Sequence, residues 1–254
     1  MTVKLTNFQK VQEFTSGFDV ARTDNPDEKL FKLRWDLIQE ESDELFQALK
    51  EENYVEILDA VSDILYVVLG AADSFNKDFD LVLEEFNIET GNDLKIDLSD
   101  NIALMPFGKY RMQLIFDDEK DKLIRLENNY SSAIKNLKIA FISRDVKEIV
   151  KQLVPVHKYL YDWAYLFGFN LNETFALVHD SNMSKLAETE EVAQQTVTWY
   201  RENETRYDSP AYRLSPIKVN NEDRWIIFNS STGKVLKSIN YHAVDLSKYI
   251  DKIQ

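Results

Sequence analysis

The 254-residue chain contains no cysteine, which excludes a disulfide framework and any thiolate metal site. It is also short of positive charge, with 30 Lys and Arg against 44 Asp and Glu and a formal charge of −14. Phosphate backbones are held by clustered bases, so nucleic acid is not an expected partner. Long hydrophobic runs are missing as well. The longest, Ile64 to Ala72, falls far short of the ~20 residues that span a bilayer. Met1 to Asn7 lacks the apolar stretch of a signal peptide. These absences imply no membrane partner and a cytoplasmic location.

What the chain has instead is helical pattern. Val11, Phe14, Phe18 and Val20 recur at roughly helical spacing over 5–20, and Asp24-Asn25-Pro26 is a turn signal with Pro26 suited to opening the next helix. Leu30 to Leu49 reads as an amphipathic helix and Val55 to Phe75 as a more apolar, more buried one. A short helix, Asp80 to Phe86, follows the Asn76-Lys77-Asp78 break. About 92–115 reads as a loop or insertion, helical pattern resumes near Phe116 and runs to about Lys185, and 188–210 reads as a polar linker. Arg213 to Val219 and Trp225 to Phe228 read as strands, with a turn at Ser230-Ser231-Thr232-Gly233. The fold class expected is mainly all-α, an antiparallel helix bundle with a small C-terminal β-hairpin. Residues 1–187 would form the helical domain and 188–254 would complete it.

A faint internal repeat underlies this pattern. Gln47 to Ile57 can be laid on Ile139 to Ile149, and in the same register Phe75 meets Phe167. The implied copies run over about 8–91 and 116–187, making the chain an internally duplicated pseudo-dimer.

Against this background the acids stand out. Glu40, Glu41 and Glu44 share one helix face, and Asp59 and Asp63 lie one turn apart on the next helix, with only Glu51-Glu52-Asn53-Tyr54 between. Acid-rich faces are ordinarily solvated surface, and Glu51-Glu52 and Glu84-Glu85 read that way. Asp, however, is a poor helix former, yet two stand in the most apolar helix. Folding the helices about 51–54 brings Glu41 level with Asp63. Negative charges facing a helical core are costly without a positive partner, and carboxylate-only ligands suit Mg²⁺, with Mn²⁺ as a substitute. A structural Ca²⁺ is the other ionic reading, but no EF-hand loop is present. In the repeat register the second copy carries Ser132, Ala133, Asn136, Lys151 and Pro155 at these five places. His157 and His179 read as packing or surface histidines, and Trp35, Trp163 and Tyr66 as core.

Leu37 to Leu45 and Asp59 to Ala71 together resemble the all-α NTP pyrophosphatases, which include MazG-like enzymes, dimeric dUTPases and phosphoribosyl-ATP pyrophosphohydrolases. Glu41 and Glu44 match that superfamily's Glu-x-x-Glu helix and Asp63 the Asp of its Glu-x-x-Asp helix, while Glu40 is a frequent extra acid. Ala60 stands where the second-half Glu is usual. Either Asp59 substitutes, or the pair shifts to Glu56 and Asp59. Val178 to Leu186, containing Asn182-Met183-Ser184-Lys185, and Gly233 to Lys237 with Tyr241 and Asp245 resemble segments of phage and viral MazG-like proteins.

The resemblance implies a Mg²⁺-dependent pyrophosphohydrolase that converts a (d)NTP and water to (d)NMP and pyrophosphate, in nucleotide-pool control or house-cleaning. The metal ligands would be Glu40, Glu41, Glu44, Asp59 and Asp63. Glu40 or Glu44 would act on the water. Asn182, Lys185, Lys234, Lys237 and Tyr241 would bind substrate. It also implies homodimerisation, and the host cytoplasm if the source is a phage or virus. Two rivals stand beside this reading: action on phosphoribosyl-ATP, and a non-catalytic helical interaction module holding a structural cation or a basic partner.

Overall fold

The computed structural model of the protein describes residues 5–90, 109–219 and 221–249. Its helices are α1 Asn7–Gly17, α2 Glu28–Lys50, α3 Tyr54–Ser74, α4 Phe79–Thr90, α5 Lys109–Asp117, α6 Lys120–Ser143, α7 Val146–Phe167, α8 Leu171–Met183 and α9 Glu190–Asn203. Two strands, β1 Pro210–Leu214 and β2 Trp225–Asn229, follow. The chain forms two compact units, one of Met1–Ala21 with Leu177–Val244, the other of Arg22–Ala176 with Asp245–Gln254.

In the helical unit, Asp27 caps α2 by accepting the Leu30 N–H at 2.8 Å. Pro26 therefore lies one residue outside the cap, not inside the helix. Phe31, Ile38, Ser42, Leu45 and Leu49 form the buried stripe of α2. The turn that follows is tight: Glu52 is left-handed at φ 53°, and Asn53 caps α3 by accepting the Glu56 N–H. α2 packs along α3, α6 along α7, and α3 against α7. Aromatic rings fill the seam, with Tyr130, Trp163, Phe75 and Phe167 all at 0 % exposure.

The two helix pairs repeat at a fixed interval. Glu28 to Lys120, Tyr54 to Val146 and Phe79 to Leu171, the starts of α2, α3 and α4 and of α6, α7 and α8, are each separated by 92 residues. Backbone details recur at the same interval. Arg144 (φ 57°) matches Glu52 (φ 53°) and Gly168 (φ 75°) matches Asn76 (φ 55°). Asp145 caps α7 as Asn53 caps α3.

In the hairpin unit, β1 and β2 pair antiparallel from Pro210↔Asn229 to Leu214↔Trp225. Side chains alternate across β2. Ile227 packs with Ala193, Val197 and Tyr200 of α9, while Ile226 packs with Phe18 and Leu186.

Three sequence expectations need correction. The stretch 188–210 is not a linker, because Glu190–Asn203 is helical behind the Thr189 cap. Its buried stripe of Ala193, Thr196, Val197 and Tyr200 is narrow, so the composition stays polar. The first strand starts at Pro210, not Arg213, and ends before Pro216, which has no N–H for a ladder. The helical pattern expected from Phe116 starts at Lys109; the rest of the expected loop, 92–108, lies outside the described residues.

Candidate functional site

α2 and α3 present the acids. Glu40 and Glu44 are exposed at the rim, while Glu41, Asp59 and Asp63 are half-buried where the helices meet. Glu41 is the electrostatic focus. Burial, then the charges of Asp63, Glu44, Glu40 and Asp59, push its carboxyl up from 4.5 to about 8. All four other expected ligands therefore act on this one group. Burial and the charges of Glu56 and Glu44 raise Asp59 from 3.8 to about 6. Glu44 is raised by burial and by Glu40 and Glu56. Glu56, on the exposed side of α3, thus belongs to the same charge cluster. The buried Oδ1 of Asp59 has no hydrogen-bond partner among the described residues.

The acids are within range of one another's fields without forming a closed ligand set. Among the described residues, no group of three or more His, Asp or Glu is disposed to hold a metal ion. Like charges favour rotamers that separate them. The donor chemistry nevertheless fits a hard divalent cation: all the expected ligands are carboxylates, one oxygen has no hydrogen-bond partner, and a cation would offset the repulsion that adds to burial in raising Glu41. Beside Glu40 and Glu44 runs an open groove of about 530 Å³, lined by Asp36, Gln39, Glu40, Asp43, Glu44 and Gln47. It borders the rim acids and does not reach Glu41, Asp59 or Asp63.

The second helix pair has no such cluster. At the place of Asp63 stands Pro155, inside α7, which brings no carboxylate and no N–H. His157 is buried against Phe79 and Tyr161, with its pKa lowered to about 4 by burial alone, so it is a neutral packing residue.

The expected substrate-binding residues lie in the hairpin unit. Lys185 Nζ donates to Asn182 Oδ1 at 2.6 Å at the end of α8. Lys237 Nζ lies 4.3 Å from the centre of the Tyr241 ring, whose hydroxyl accepts from Ser181 Oγ at 3.3 Å. Lys234 lies against Tyr207 instead, 5.9 Å from its ring centre. The nearby His179 is buried and its Nε2 lies 3.2 Å from Glu13 Oε2.

Comparison with known proteins bears on these helices. A family model described as phosphoribosyl-ATP pyrophosphohydrolase matches residues 11–89, a span that holds all five acids. An uncharacterized protein of Acanthamoeba polyphaga mimivirus is 32% identical over 244 residues, covering 92% of each chain. No solved structure matches. No helix among the described residues is long and apolar enough to cross a membrane.

Proposed function

The chain belongs to the MazG-like NTP pyrophosphatase superfamily, and from that premise we propose that it hydrolyses a nucleoside triphosphate to the monophosphate and pyrophosphate with Mg²⁺. The observation that carries this reading is the convergence of four carboxylate fields on Glu41, at the helix pair that the family model spans. Glu41, Glu44 and Asp63 would hold the cation, with Asp59 and Glu40 beside them. When bound, Mg²⁺ neutralises charge on the leaving pyrophosphate and eases ionisation of water.

The chain's own part is proton handling and placement. Water oxygen attacks the α-phosphorus, the bond from that phosphorus to the bridging oxygen breaks, and pyrophosphate leaves. The proton released goes to a carboxylate. Glu44, exposed at the rim and raised above the ordinary range, or Glu40 beside it, has access to solvent for that task. One such site per chain follows from the acids being confined to α2 and α3. Asn182, Lys185, Lys234, Lys237 and Tyr241 are assigned to substrate binding, a separate proposal. Alanine at Lys185 should raise KM about tenfold with kcat little changed.

The description of the matching family favours a second reading, in which the triphosphate is phosphoribosyl-ATP. The chemistry at the α–β linkage is the same. Pyrophosphate release from a panel of NTPs, dNTPs and phosphoribosyl-ATP distinguishes them. Release from the nucleotides supports the first reading and release from phosphoribosyl-ATP alone the second, while none from any of them by folded, Mg²⁺-supplied protein would leave a binding module.

A further inference from the structure

Two buried serines sit directly beside the acids. Ser42 follows Glu41 on α2, and Ser62 precedes Asp63 on α3; both are at 0 % exposure. Each donates to the carbonyl one turn back, Ser42 Oγ to Ile38 O at 2.7 Å and Ser62 Oγ to Leu58 O at 2.8 Å. That bond alone would be an ordinary way for serine to sit in a helix. Each hydroxyl, however, also meets a second hydroxyl from the second copy of the repeat, α6 to α8. Ser42 Oγ lies 2.8 Å from Tyr130 Oη on α6. Ser62 Oγ shares its one proton between Leu58 O and Thr174 Oγ1 on α8, donating to the latter at 2.8 Å.

The partners are themselves fixed. Tyr130 is at 0 % exposure, edge-on to Trp163 at 6.5 Å and 5.9 Å from Phe46. Thr174, also at 0 %, donates to Leu171 O at 3.2 Å, and its neighbour Phe175 stacks on Tyr66 at 5.3 Å. A buried hydroxyl pair is directional and costly to break. A rotation that moved Glu41 or Asp63 would strain or open one of these bonds.

We propose that Tyr130 and Thr174 are positioning residues, which act through Ser42 and Ser62 to fix the rotation of α2 and α3 so that Glu41, Glu44, Asp59 and Asp63 face one cation. This rests on the metal-dependent reading given above. It also gives the second helix pair a role at the site although it carries Ser132, Ala133, Asn136, Lys151 and Pro155 where the first carries acids. It supplies no ligand and holds the ligand helices instead.

The test uses the full chain, stripped of metal, with Mn²⁺ affinity by electron paramagnetic resonance, pyrophosphate release and thermal midpoint read in parallel. Tyr130→Phe and Thr174→Val delete a hydroxyl at near-constant shape, and Thr174→Ser restores one. Groups that orient metal ligands are worth about ten- to a hundredfold in affinity. The Phe and Val variants should bind Mn²⁺ about tenfold more weakly and lose about tenfold in kcat, with Thr174→Ser within about twofold of wild type. If Tyr130→Phe fails to fold, the double variant Ser42→Ala/Tyr130→Phe, which removes both partners, should show the same loss. Affinity and turnover unchanged in these variants, or rescue failing in Thr174→Ser, would overturn the proposal. Mn²⁺ affinity that follows the hydroxyls in a protein releasing no pyrophosphate would leave the positioning role standing and sink the catalytic reading. Wild type that binds no Mn²⁺ would sink both.

Discussion

Glu41 is held in a place that disfavours its charge. Its carboxyl titrates near 8 in the fold and near 4.5 in the unfolded chain, so between those values the fold keeps a proton that the unfolded chain has lost. Stability of the metal-free protein therefore falls as pH rises through this window. His157 works in the opposite sense below 6.5, because its lowered pKa costs stability as pH falls towards 4. The window from pH 6.5 to 8 isolates the acid. Denaturant melts of metal-free protein should show stability declining across it. Glu41→Gln should flatten the slope and gain roughly 2 kcal/mol at pH 8, a figure reduced for partial solvent screening. A rising slope in wild type, or a loss in the variant, would contradict the charge cluster. Asp73 poses the reverse case. It is 2 % exposed, bonded to Arg22 Nε at 2.8 Å, and close enough to favour the charge of Arg34, which burial disfavours. Asp73→Asn should cost about 2 to 3 kcal/mol, because it removes a buried carboxylate that acts on two guanidiniums. A urea titration reads it directly.

At the scale of elements, helix starts carry much of the order. Asn53 and Asp145 cap equivalent helices 92 residues apart. Alanine at either should lower stability by about 1 kcal/mol, and similar losses at both are expected from their shared geometry. These elements were legible where their apolar stripes are wide, as in α2, α3 and α7. They were missed where the stripe is narrow: α9 buries only Ala193, Thr196, Val197 and Tyr200 under a run of Gln, Glu and Thr. The cap that marks its start, Thr189, was there to be read. Of the candidate site, the clustering of the five acids was legible, because helical spacing sets them on two facing turns. The field of Glu56 on Asp59 was foreseen only as an alternative ligand register. The hydroxyls of Ser42 and Ser62 could not be read at all, because their partners lie 88 and 112 residues away.

Across the whole molecule, one helix pair carries the acids, and in the proposal above its repeat, 92 residues on, holds them in place. If a cation binds at the acids, it must stabilise the fold by mass action. Mg²⁺ at a hundred times its Kd should add about 2.7 kcal/mol to the wild type and little to Glu41→Gln. Catalysis itself is read as pyrophosphate release. Purified protein is incubated with each NTP and dNTP, with Mg²⁺ or with a chelator, beside Glu44→Ala and Asp63→Asn. Mg²⁺-dependent release of one pyrophosphate per monophosphate is expected from at least one nucleotide, lowered at least about a hundredfold in both variants. Release that persists undiminished in the variants or in chelator would contradict it.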